Sequence, residues 1–108
     1  MSGPAGPDRD ELTVARLAAA ARRHAQGREP TDAETAAAAA ELRAIAGDRG
    51  DLLAEVAGLI IGFYAGTAEE LKARTAARYC RAAGADPDLI PPWIAAGKRR
   101  ATFARKAS

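Results

Sequence analysis

Asp51-Leu-Leu-Ala-Glu-Val-Ala-Gly-Leu-Ile-Ile-Gly-Phe-Tyr-Ala-Gly66 is the stretch whose reading decides the fold. Leu52, Val56, Leu59 and Phe63 recur at helical spacing, and Leu53, Ile60 and Tyr64 lie beside them. The pattern predicts a helix over about 51–65 that is apolar almost all round, and such a helix belongs at the centre of a bundle. Ala54, Gly58, Gly62 and Gly66 recur every fourth residue and leave a groove without side chains. An interior glycine costs roughly 1 kcal/mol of helix stability relative to alanine. Two of them one turn apart therefore predict a packing role, because small residues let helix backbones approach closely. The groove is expected to receive another helix, one of the same chain in preference to a second copy. Ala54, Gly58, Gly62, Gly66 and Trp93 are the expected helix-packing contacts, and Phe63 and its neighbours are assigned to the core.

Outward from this element the helix boundaries are legible. Asp8 and Glu11 read as an N-cap and an acidic first turn, opening a helix over about 8–26 with a narrow stripe of Val14, Leu17, Ala18, Ala21 and Ala25. Thr31-Asp-Ala-Glu34 is a capping-box pattern ahead of a helix over 32–46 that Gly47 ends. Asp48 to Asp51 is a turn with Asp51 as the next cap. Its Arg49-Gly50-Asp51 spells an integrin-binding tripeptide, read here as a loop. Thr67-Ala-Glu-Glu70 is a second capping-box pattern, for a helix over about 68–83 capped by Gly84, with Leu71, Thr75, Tyr79 and Ala82 towards one side. Asp86-Pro87 starts a short turn, and Pro91-Pro92 opens a last helix over 92–106, since proline disfavours helix in the residue before it. No segment alternates with period two for long enough to predict a strand. The expected fold is an all-α bundle of four to five helices in one domain over 8–106, with residues 1–7 as a flexible tail.

Composition constrains the rest. Much of the 48% hydrophobic content is alanine, which favours helix but buries little apolar area. Few large apolar residues precede position 50, so the N-terminal half must lean on the rest of the chain or on a partner. The net charge of +2 hides a segregation. Residues 1–70 carry seven Lys/Arg against twelve Asp/Glu, whereas residues 71–108 carry nine against two. A basic C-terminal third attracts nucleic acid, an acidic protein surface or anionic lipid, or the chain's own acidic half.

Little in the sequence points to chemistry. Cys80 is the single cysteine, read as a small buried hydrophobe, and His24, the single histidine, complements the dipole at a helix end. There is no Cys/His spacing for zinc, no phosphate-binding loop and no metal-binding helix motif. No enzyme activity, cofactor, metal or small-molecule substrate is expected. Met1-Ser-Gly-Pro-Ala-Gly-Pro7 lacks a cationic start and an apolar core, so no signal peptide is expected and the cytoplasm is the expected location. The apolar stretch of the third helix includes Glu55 and falls short of the roughly 20 residues a membrane span needs.

The segment Cys80-Arg-Ala-Ala-Gly-Ala-Asp-Pro-Asp-Leu-Ile-Pro-Pro-Trp-Ile-Ala-Ala-Gly-Lys-Arg-Arg100 resembles the C-terminal signature of short all-helical actinobacterial proteins. The excess of arginine over lysine, 13 to 3, suits a GC-rich genome of that kind. The resemblance covers the C-terminal third to half of the chain and implies no activity, since none is established for that group.

Two functions from different classes follow. The first is a non-enzymatic helical module that binds itself or another protein through the third helix and the Trp93 region. The second is a nucleic-acid binder using Arg74, Arg78, Arg81, Lys98, Arg99, Arg100, Arg105 and Lys106. Residues 79–100 superficially follow a helix-turn-helix, but Pro91 and Pro92 would fall inside its recognition helix, where proline breaks the hydrogen-bond ladder. The plain alternative for these cations is a solvated helix end favoured by the dipole.

Overall fold

Asp8 stands ahead of the first helix and its carboxylate accepts the Glu11 N–H at 2.8 Å, satisfying one of the free donors of the opening turn. That helix, α1, spans Arg9–His24. It stops two residues earlier than the sequence predicts because Ala25 turns extended and is itself buried. The computed structural model describes residues 8–107, so the expected tail at 1–7 lies outside the described residues. The Thr31 box forms as predicted: Thr31 Oγ1 accepts the Glu34 N–H at 3.1 Å and Glu34 Oε1 accepts the Thr31 N–H at 2.8 Å. The helix it opens, α2 (Asp32–Ala46), ends on Gly47 at φ +62°, where a side chain would be strained.

The remaining helices are α3 (Gly50–Tyr64), α4 (Glu70–Ala82) and α5 (Ile90–Ala107), with a 3-10 turn at Pro87–Leu89 before the last. Three expectations about their ends are corrected. Asp51 does not cap α3; it lies inside the first turn, and its carboxylate is drawn to the Arg49 guanidinium at 3.0 Å. Thr67 does not form a capping box, because its hydroxyl is tied to the end of α3, donating to Tyr64 O at 2.7 Å and accepting the Glu69 N–H at 3.2 Å. Glu70 reaches back to the Gly66 N–H at 2.5 Å, so these groups close the α3–α4 turn and α4 starts two residues late. Finally, α5 starts at Ile90, with Pro91 and Pro92 in its first turn. A first turn has no acceptors for its N–H groups, so proline loses nothing there.

All five helices form one all-α bundle with no strand among the described residues. α3 is its centre and touches each of the other four helices. Tyr79, Leu17, Leu42, Leu53, Val56 and Cys80 are fully buried, and Ala20, Ala21, Ala38 and Ala39 line the inward sides of α1 and α2. The N-terminal half thus leans on α3 and α4 of its own chain, its alanines allowing close helix approach. The side of α4 that carries Leu71, Thr75, Tyr79 and Ala82 is buried only in its middle: Leu71 is 52% exposed and Ala82 is exposed, while Thr75 and Tyr79 are buried. Among the described residues no helix is long and apolar enough to cross a membrane.

Candidate functional site

The groove of small residues on α3 is filled by α5. A Cβ on Gly58 would lie 2.4 Å from Trp93 Cβ and 2.7 Å from Ile90 O, and one on Gly62 would lie 2.1 Å from Ile94 O. The approach is mutual, since a Cβ on Gly97 would meet Leu59 O at 2.5 Å and Phe63 N at 2.9 Å. Residue numbers on the two helices rise together, so α3 and α5 run parallel, and no residue larger than glycine fits where their backbones meet. Ala54 is fully buried and Trp93 half-buried. Gly66 is not part of this seam: it lies beyond α3 in the turn, at φ +78°, with open space where a Cβ would stand.

The groups with reactive potential are engaged elsewhere. Burial pushes the Cys80 thiol up to about 12, far from the thiolate range. His24 Nε2 lies 2.7 Å from Glu41 Oε1, and the ring meets Tyr79 edge-on at 6.4 Å. Glu41 also receives Arg23, and these two contacts, His24 first, hold its carboxyl below the usual range. Arg49 bonds to both Asp51 and Asp10, and Gly50 O accepts the Asp86 N–H at 3.0 Å. The Arg-Gly-Asp tripeptide is therefore a knot joining three segments, its charged ends turned on each other. No group of three or more His, Cys, Asp or Glu is placed to hold a metal ion among the described residues.

The eight cations singled out in the sequence divide into two sets. Arg74 pairs with Glu70 at 3.2 Å and Arg78 with Glu29 at 2.8 Å, both exposed bridges. Arg81, Lys98, Arg99, Arg100, Arg105 and Lys106 are exposed, and among the described residues none is within ion-pair distance of a carboxylate. On the turn of α5, Lys98 and Arg105 share one flank, Arg99 and Lys106 face outward, and Arg100 takes the opposite flank. α4 and α5 both pack on α3 and barely touch each other, which is not the mutual packing of a helix-turn-helix pair.

What sequence reasoning missed is the surface around Phe63 and Tyr64. Phe63, assigned to the core, is 37% exposed, and its ring meets Tyr64 edge-to-face at 5.0 Å. Three depressions converge on Tyr64. One, of about 340 Å³, lies among Arg22, Arg23, Ile60, Glu69 and Lys72. A second runs between Ala18 and Arg22 of α1 and Gly97 and Arg100 of α5, floored by Leu59 and Phe63. The third continues past the end of α3 under Ala101, Ala104 and Arg105, opposite Thr67 and Ala68. Arg22 lies over the Tyr64 ring, 5.6 Å from its centroid. Farther out, Phe103 is 75% exposed on the part of α5 that overhangs α3. The signal in the sequence was the alignment of Phe63 with Gly97 rather than with a large residue, but this pairing is visible only once α5 is known to lie on α3.

No protein-family model matches the chain, and no curated protein or solved structure is significantly similar to it.

Proposed function

We propose that this protein is a non-enzymatic helical interaction module that docks another protein beside the α3–α5 seam. The observation that carries the reading is the aromatic pair Phe63–Tyr64, left partly open at the junction of three depressions in a chain with few large apolar side chains. Exposed apolar patches rimmed by polar residues are characteristic of protein contact sites. The glycine groove is not available to a second copy, since the chain's own α5 fills it. The buried Cys80 thiol and the His24–Glu41 contact support the non-enzymatic part of the reading. A benzophenone side chain in place of Ala68, which borders the third depression, tests the proposal in living cells. A discrete protein adduct is expected from position 68 and none from exposed Ala44 on α2. Absence of an adduct at 68 refutes the reading.

The second reading, a nucleic-acid binder, is favoured by the six cations without ion pairs. Five of them are spread over three sides of α5 and Arg81 lies apart on α4, a placement that suits nonspecific phosphate contact more than base recognition. If about five of them meet phosphates, log affinity falls against log salt with a slope of roughly −4 to −5. A flat salt response, or unchanged binding after replacing Lys98, Arg99 and Arg100, removes this reading.

A further inference from the structure

We infer that the partner segment received beside the α3–α5 seam is an acidic amphipathic helix of another protein, with two apolar side chains one turn apart seated in the second and third depressions. This rests on the docking reading above and names the chemistry of its occupant.

The second depression is floored by Leu59, Ile60, Phe63 and Tyr64, and the third by Phe63, Tyr64, Thr67 and Ala68. On α5, which is helical throughout this stretch, the second is walled by Gly97 and Arg100 and the third by Ala101 and Ala104, an offset of four residues or roughly 6 Å at the helical rise. That is the separation of i and i+4 side chains on one face of a helix. The linings of both depressions are mainly apolar, of about 240 and 380 Å³, enough for an aliphatic side chain in each.

Arg22 and Arg100 flank the first seat, and Arg105 borders the next. Arg100 and Arg105 have no ion pair among the described residues, and Arg22 is held only over the Tyr64 ring. Carboxylates beside the anchors of an incoming helix would meet all three. Glu69 is the one acid on the third depression, so the carboxylate of the occupant at that end is expected on the Arg105 side, away from Glu69.

Backbone accounting excludes an extended peptide. Extended segments gain affinity by pairing their main chain with an open sheet edge, and the walls here are helices whose backbone groups are already bonded. A helix satisfies its own backbone and needs only apolar seats and a charged rim. A single-stranded nucleic acid is a poorer fit, because base stacking needs an open aromatic face. Arg22 covers one face of Tyr64, and Phe63 and Tyr64 meet at 73°.

The test uses the full chain and three fluorescein-labelled synthetic helices. One carries leucines at i and i+4 flanked by glutamates, one replaces the leucines by serine, and one replaces the glutamates by lysine. Fluorescence anisotropy is expected to show the first binding at least about tenfold more tightly than either control, and Arg100→Glu with Arg105→Glu weakening it by about tenfold. Ala44→Glu, far from the seam, is expected to leave binding unchanged, and circular dichroism verifies that all variants are folded. Equal binding of the three peptides overturns the inference. So does tighter binding of a 15-nucleotide oligothymidine, or a dimer by light scattering that Ala68→Glu dissociates, which would make a second copy the occupant. A protein adduct at position 68 without binding of the acidic peptide refutes the occupant and leaves the docking reading standing; absence of the adduct refutes the docking reading itself.

Discussion

Gly62→Ala tests the α3–α5 seam with a single methyl group. Its Cβ would stand 2.1 Å from Ile94 O, 2.8 Å from Lys98 N and 3.0 Å from Ile94 C. All three are backbone atoms of α5, so no rotamer change relieves the contact. To restore a 3.4 Å separation from Ile94 O, α5 must retreat by roughly 1.3 Å. A gap of about 0.5–1 Å already forfeits a quarter to a half of the dispersion attraction across a seam. Overpacking costs about 1–3 kcal/mol, and retreat of a whole helix belongs near 3. Alanine's better helix propensity returns about 1 kcal/mol. The expected net loss is about 2 kcal/mol, a drop on the order of 10 °C in Tm for a domain of this size. Urea unfolding followed by circular dichroism at 222 nm measures it. Gly58→Ala forces the same retreat, so the double variant is expected to lose less than the sum of the two. Gly27→Ala is the control, because its Cβ would meet only Lys72 Cε at 3.9 Å and the change is expected to be neutral or mildly stabilising. A Gly62→Ala protein as stable as wild type, or more stable, would mean that α5 does not lie on this groove.

The Arg28 guanidinium and the Thr31 N–H hold the Glu34 carboxyl at about 2, down from an ordinary value of 4.5. The stability this confers is present above pH 4.5 and is lost as pH falls towards 2, so Glu34→Gln is expected to flatten the acid limb of a urea-midpoint series. Glu55 runs the other way: burial, opposed by Arg100, raises its carboxyl, so its contribution is favourable at low pH and is lost as pH rises through the raised value. Glu55→Gln is therefore expected to raise the urea midpoint at pH 7 and to lose that advantage below pH 4.5, and a lower midpoint at pH 7 would contradict this placement of the carboxylate. Cys80 is fully buried with its thiol near 12, so a thiol-specific disulfide reagent at pH 8 is expected to label it only as the bundle opens. Fast labelling of the native protein would contradict the packing of α4.

The helices and their order follow from local sequence pattern. Thr31-Asp-Ala-Glu34, Gly47, Gly84 and the apolar stretch from Leu52 act within a few residues, so the local pattern alone specifies them. It also marked Gly58 and Gly62 as a place of close approach, because glycine inside a helix has a local cost that needs a compensating contact. That the approaching backbone is the chain's own α5, that Gly97 completes the seam from the other side, and that the two helices run parallel emerge only when the helices are packed together. Thr67 shows the same limit on a smaller scale: its sequence fits a capping box, yet its hydroxyl serves the end of α3. Phe63 shows it most clearly. Its spacing with Leu52, Val56 and Leu59 places it on an apolar face, but whether such a face is covered depends on which helix arrives there and how far it extends. Because α5 meets α3 through glycines and alanines at that level, Phe63 and Tyr64 are left partly open beside Arg22, Arg100 and Arg105. The candidate site is made by residues from three helices that are distant in sequence, and no periodicity within one helix reports that meeting.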